Sequence, residues 1–73
     1  MNRLEEIISQ VFHIEIEKIT NDLSRDFTEE WDSFNHLLLI SEIEKRMSIK
    51  FTLSEVGQIK TYKQLKDMID SKK

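Results

Sequence analysis

Asp32-Ser33-Phe34-Asn35-His36-Leu37-Leu38-Leu39-Ile40, continuing to Met47, is the stretch that decides the fold. It follows an acidic, irregular segment and opens a strongly apolar run. Phe34, Leu37, Ile40 (with Leu39 beside it), Ile43 and Met47 recur at helical spacing and predict a broad buried stripe on a helix over residues 33 to about 48. Asp32 and Ser33 are both residue types that accept hydrogen bonds from the free N–H groups of a first helical turn. A serine at that place is exposed where the helix dipole favours negative charge. Helix capping and a chemical role both account for it, so the choice rests on the rest of the chain.

Working outward, Leu4, Ile7, Ile8, Val11 and Phe12 form the apolar stripe of an N-terminal helix over residues 2 to about 13, with Asn2 and Glu5 as its capping pair. Ile14, Ile16 and Ile19 alternate with charged residues, but nothing nearby offers a second strand, so a short extended or single-turn segment is expected. Residues 20 to about 32 make a long connection opened by the turn formers Asn21 and Asp22. In it, Leu23, Phe27 and Trp31 recur every four residues and can tuck the loop onto the core or form a helical turn. Connections of this length in compact domains often carry function. Beyond the central helix, Thr52-Leu53-Ser54-Glu55 and Thr61-Tyr62-Lys63-Gln64 are capping boxes. The first opens a short helix ending near Gly57, the second a last helix with Leu65, Met68 and Ile69 inward. The expected fold is all-α: three substantial helices and one short one, in a single domain over residues 1–73.

Composition agrees. The chain has 73 residues, no proline, one glycine and no cysteine. A β-sandwich needs turn residues at close intervals, which are missing. A chain this small buries only about 60% of its unfolded surface, leaving little room for both a core and a deep active-site cavity. Without cysteine there is no disulfide and no thiolate ligand, and His13 and His36 lack companion ligands for a zinc site. Helix packing therefore carries the stability. No apolar run reaches membrane-spanning length and the N-terminus has no signal-peptide pattern, so a cytoplasmic protein without membrane insertion is expected. Net charge is −3, but residues 1–44 carry eleven acidic and three basic side chains, and residues 45–73 three acidic and eight basic. The acidic half is either a surface for basic partners or a set of solvated helix faces. Lys60, Lys63 and Lys66 cluster near the last helix, yet overall acidity and the lack of a broad basic face argue against nucleic-acid binding.

A nucleophilic serine needs a base and an orienting group. His36 lies one helical turn from Ser33, but no acid is placed to hold it, which disfavours a hydrolase. Asp32-Ser33-Phe34, followed by Leu37, Leu39, Ile40, Ile43, Glu44 and Met47, resembles the Asp-Ser-Leu helix of acyl carrier proteins. The similarity covers nearly the whole chain: the N-terminal helix, the long acidic loop, Ile49-Lys50-Phe51, the short third helix and Thr61-Tyr62 all fall in the family order.

The resemblance implies a small four-helix bundle with a long loop between helices 1 and 2 and a short third helix. It implies that Ser33 accepts 4′-phosphopantetheine from coenzyme A through a Mg²⁺-dependent phosphopantetheinyl transferase. The arm's thiol then carries an acyl or aminoacyl group as a thioester. Asp32 would assist docking of the transferase or placement of its metal. Further partners would be an acyl- or aminoacyl-loading ligase or transferase and downstream acyl-processing enzymes, served by a monomeric, non-enzymatic carrier with no metal of its own. Fatty-acid-type carriers usually place acidic residues where this chain has Asn35 and Leu38. The acidic second-helix face is thus depleted, which suggests a specialised pathway, with Phe34, His36, Leu38 and Glu42 near the partner surface. Leu39, Ile43, Ile59 and Leu65 are available to shelter an acyl chain, but ordinary packing needs them too. The competing reading is a helical interaction module without a prosthetic group, a degenerate carrier kept as a subunit.

Overall fold

The computed structural model describes residues 3–72. Its helices are α1 (Arg3–Phe12), α2 (Ser33–Met47), α3 (Leu53–Gln58) and α4 (Tyr62–Ser71), with 3-10 turns at Ile16–Lys18 and Arg25–Phe27 inside the long α1–α2 connection. This is the expected all-α four-helix arrangement. The suggested cap Asn2 lies outside the described residues. Helix α1 buries Leu4, Ile7, Ile8 and Phe12 against α2, and α4 closes the core with Tyr62, Leu65 and Ile69. Ile19 and Trp31 from the connection and Ile59 from the α3–α4 link complete it. Leu39, Ile43, Ile59 and Leu65 are fully buried in this one cluster, so all four serve packing.

The connection is divided between core and solvent. Ile19 is buried, Ile14 is half-buried and Ile16 faces outward; Trp31 is buried, Leu23 is half-buried and Phe27 is exposed. A backbone crossing pins this loop to the link before α4. Ser24 and Thr61 form an antiparallel bridge, Arg25 N donates to Lys60 O at 2.9 Å, and Tyr62 N donates to Leu23 O at 2.9 Å.

The register of α2 differs from the expected stripe. Phe34 and Leu37 are 73% and 61% exposed, while His36, Leu39, Ile40 and Ile43 are buried. At 3.6 residues per turn His36, Leu39, Ile40, Ile43 and Met47 share one face, and Phe34 lies on the opposite side of the helix. His36, the polar member of the inward face, is satisfied there by the Trp31 indole.

Helix α3 has no fully buried residue; Val56 packs half-buried against the core and polar links add to it. Thr52 and Glu55 form the expected capping box, and the Glu55 carboxylate also pairs with Lys72 at 2.9 Å. Phe51 N donates to Glu44 Oε2 at 2.8 Å just ahead of the helix. The Thr61–Gln64 capping box opens α4 as expected. Its inward residues are Leu65 and Ile69, with Met68 half-buried against the core.

Ile43→Ala removes a fully buried side chain and should cost about 2–5 kcal/mol in urea unfolding. Leu37→Ala, at an exposed position, should change stability by less than about 0.5 kcal/mol. Equal losses at both positions would place Leu37 inside and overturn this register.

Candidate functional site

Asp32 ends the loop in an extended conformation and caps α2: Asn35 N donates to Asp32 Oδ1 at 2.7 Å. His36 N donates to Asp32 O at 2.8 Å, and the Asn35 side-chain amide donates to Glu30 O at 2.8 Å, tying the loop end to the first turn. Ser33 is the first helical residue. Its side chain is exposed and makes no hydrogen bond among the described residues. Capping therefore belongs to Asp32 alone, and the ambiguity between the two residues in the sequence is removed. The Ser33 hydroxyl is left free at a surface point whose backbone is fixed on both sides.

Beneath it lies a buried polar chain. Trp31 Nε1, which can only donate, lies 2.9 Å from His36 Nδ1, so Nδ1 is the acceptor and carries no proton. Nε2 carries the proton and donates to Val56 O of α3 at 2.8 Å. The two hydrogen bonds require a neutral imidazole. Burial pushes its pKa below the ordinary value; the Val56 carbonyl opposes this and the charge of Arg25 adds to it. The Trp31 ring also packs on Phe12, with centroids 5.4 Å apart. His36 was expected near the partner surface, but its side chain is only 3% exposed. The structure corrects that placement, because a histidine satisfied by an indole and a carbonyl loses nothing by burial. Nor is it a base for Ser33, since both its nitrogens are committed elsewhere.

Around Ser33 the surface has two parts. On one side a shallow open cleft is lined by Arg25, Asp26, Trp31, Asp32, Ser33 and Lys60. On the other, the outer face of α2 presents Phe34, Leu37 and Leu38, the last 40% exposed. Leu37 was missed as a surface residue because it was counted in a row of every third residue, which winds off the inward face; the 3.6-residue period is the signal that places it outside. Glu42 is half-buried and paired with Arg46 at 3.0 Å, and Arg46 also reaches Gln10 at 2.8 Å. Its charge is thereby partly neutralised within the helix. Among the described residues no helix is long and apolar enough to cross a membrane.

Among the described residues the chain is a four-helix domain with an exposed serine in the first turn of α2, and its fold is that of a small helical carrier protein. No protein-family model and no curated protein matches the chain. Among solved structures, the solution structure of the holo acyl carrier protein from Geobacter metallireducens matches it with a TM-score of 0.84 and 35% sequence identity. The match covers 94% of this chain and 79% of that one. This chain belongs to the acyl carrier protein family.

The buried histidine gives stability a definite pH dependence. The folded chain holds His36 neutral below the ordinary value of 6.5, where the unfolded chain already binds the proton. Unfolding free energy should therefore fall on acidification from 6.5 towards the folded value, and His36→Gln should flatten that slope in urea titrations at several pH values. Glu55, held below the ordinary carboxylate value first by the Thr52 amide and then by Lys72, adds a separate loss at still lower pH. A slope through the upper window that survives His36→Gln would assign the proton to another group.

Proposed function

We propose that this chain carries an acyl or aminoacyl group as a thioester on a 4′-phosphopantetheine arm attached to Ser33, and presents it to the enzymes of a specialised biosynthetic pathway. The observation that carries the reading is the division of labour at the start of α2. Asp32 caps, and the neighbouring serine hydroxyl is exposed and unbonded. A serine kept only for helix capping has no purpose at a position where another residue already caps. The related Geobacter protein was solved in its holo form, which supports a prosthetic group in this family. The chain has no cysteine, so thioester chemistry requires an imported thiol.

The residues fit the modification. Ser33 Oγ is open to attack the pantetheine-bearing phosphorus of coenzyme A. A new P–O bond forms, the pyrophosphate P–O bond breaks, 3′,5′-ADP leaves and the hydroxyl proton is released. The transferase supplies the base and Mg²⁺. Asp32 Oδ1 accepts the capping hydrogen bond from Asn35 N, which leaves the rest of the carboxylate charge available to the transferase. The bound arm supplies a terminal thiol on a flexible tether, which suits a domain too small to enclose a reaction.

Phe34, Leu37 and Leu38 form the apolar part of the partner surface, with Asp32 and Glu42 at its edges. Loading would fall to an acyl- or aminoacyl-specific ligase or transferase and consumption to downstream acyl-processing enzymes, with the carrier acting as a cytoplasmic monomer that binds neither nucleic acid nor membrane.

Incubation of the apo protein with coenzyme A, Mg²⁺ and a broad-specificity phosphopantetheinyl transferase should add one phosphopantetheinyl group, located on Ser33 by fragmentation. Ser33→Ala should abolish the gain while changing stability by less than about 0.5 kcal/mol, as its hydroxyl makes no hydrogen bond. A well-folded wild type that stays unmodified across several transferases would favour the interaction module without a prosthetic group. For the partner surface, Leu38→Glu should impair acyl loading or transfer by a cognate enzyme far more than it lowers the melting temperature. A large drop in melting temperature would make Leu38 a packing residue.

A further inference from the structure

We infer that Arg25 and Lys60 form a phosphate subsite that holds the root of the arm, an inference that rests on the proposed modification of Ser33. The two residues are thirty-five positions apart, and the Ser24–Thr61 bridge brings them together. Arg25 N donates to Lys60 O at 2.9 Å, and both residues line the cleft that also contains Ser33. Neither cation is used internally. The ion pairs among the described residues join Glu42 to Arg46, Lys63 to Asp67 and Glu55 to Lys72, all away from this cleft. Asp26 and Asp32 line the same cleft without pairing to either cation. Asp32 Oδ1 is engaged with the Asn35 amide. Two cationic residues without an ion pair, one of them half-buried, thus line the same cleft as the serine to be modified.

The ligand follows from reach and charge. Once Ser33 is esterified, the phosphodiester is one bond from Oγ, and it is the only part of the arm whose position the domain fixes directly. It is a monoanion with two non-bridging oxygens. A guanidinium matches that geometry with paired N–H donors, and an ammonium adds a point charge. The cations act on the root of the arm and leave its distal thiol free, so they restrict the directions in which the arm leaves the surface. Asp26 opposes them and sets the net strength of the site.

The test uses the holo forms of the wild type, Arg25→Gln, Lys60→Gln and the double variant, with modification verified by intact mass and folding by amide spectra. In the folded wild type the ³¹P resonance should be displaced from its position in the urea-unfolded holo protein. The displacement should shrink in each single variant and nearly vanish in the double variant. In the wild type itself, raising salt from about 0.1 to 1 M cuts the screening length from about 10 to 3 Å and should move the resonance towards the unfolded position. This salt arm holds even where a variant fails to fold. Asp26→Asn should enlarge the displacement. A wild-type resonance at the unfolded position, or one insensitive to both the double variant and salt, overturns the inference while the carrier reading stands. Wild-type protein that never gains the group overturns both. Inorganic phosphate added to the apo protein separates a general anion pocket from a site for the tethered group. Phosphate perturbation of the Arg25 and Lys60 amides, with no variant effect in the holo protein, rejects the tethered assignment.

Discussion

The hydrogen bond from the Trp31 indole to His36 Nδ1 is the constraint on which the arrangement around Ser33 depends. Because indole nitrogen can only donate, it selects one imidazole tautomer, and the opposite nitrogen must then find an acceptor. The acceptor is Val56 O in α3. One side chain from the loop, one from α2 and one backbone carbonyl from α3 are thereby joined in sequence. His36 lies in the first turn of α2, so that turn is held by buried polar bonds as well as by the Asp32 cap. A buried network of this kind is stable only when every member is satisfied, and here each of the two ring nitrogens has one partner.

The same chain explains how a very small domain secures a helix with nothing fully buried. Six residues of α3 offer no apolar side chain that is fully enclosed. Core burial fixes α1, α2 and α4; α3 is docked by the half-buried Val56 side chain, the Val56 carbonyl bond to His36 and the Glu55–Lys72 pair. Helix α3 is the one of the four helices with no fully buried side chain, and the Val56 carbonyl ties it to His36 of α2, the helix that opens with Ser33. Local opening begins where apolar contacts are few.

Much of this was legible in the sequence where local chemistry is self-contained. Both capping boxes, the short third helix and the inward faces of α1 and α4 depend on residues within four positions of one another, and all appeared as read. The face of α2 did not. Phe34, Leu37, Ile40 and Ile43 repeat every three residues, and at 3.6 residues per turn that row winds round the helix until Ile43 lies opposite Phe34. His36, Leu39, Ile40, Ile43 and Met47 hold one face, so a stricter use of the period places Phe34 and Leu37 outside. The cleft beside Ser33 was hidden in another way, because Arg25 and Lys60 meet through the Ser24–Thr61 bridge. Asp32 and Ser33 were legible as a pair, but not their separate duties, since either can cap a helix.

The corrected face of α2 changes how recognition by a carrier of this kind must work. A strongly acidic helix would attract basic partners over a Debye length and lose that attraction in salt. Here the exposed positions carry Phe34, Leu37 and Leu38, and the nearest helical acid, Glu42, is paired with Arg46. Negative charge is concentrated instead in the connection, at Asp22, Asp26, Glu29, Glu30 and Asp32. Steering and discrimination are thereby assigned to different segments on the carrier reading. The loop supplies the long-range field, while the helix supplies short-range apolar contact worth roughly 25 cal/mol per Å² removed from water. A partner with basic charge but no complementary groove would meet the loop and gain nothing from the helix. On that reading discrimination falls to three exposed side chains, which lie off the face that His36 and the core residues of α2 turn inward.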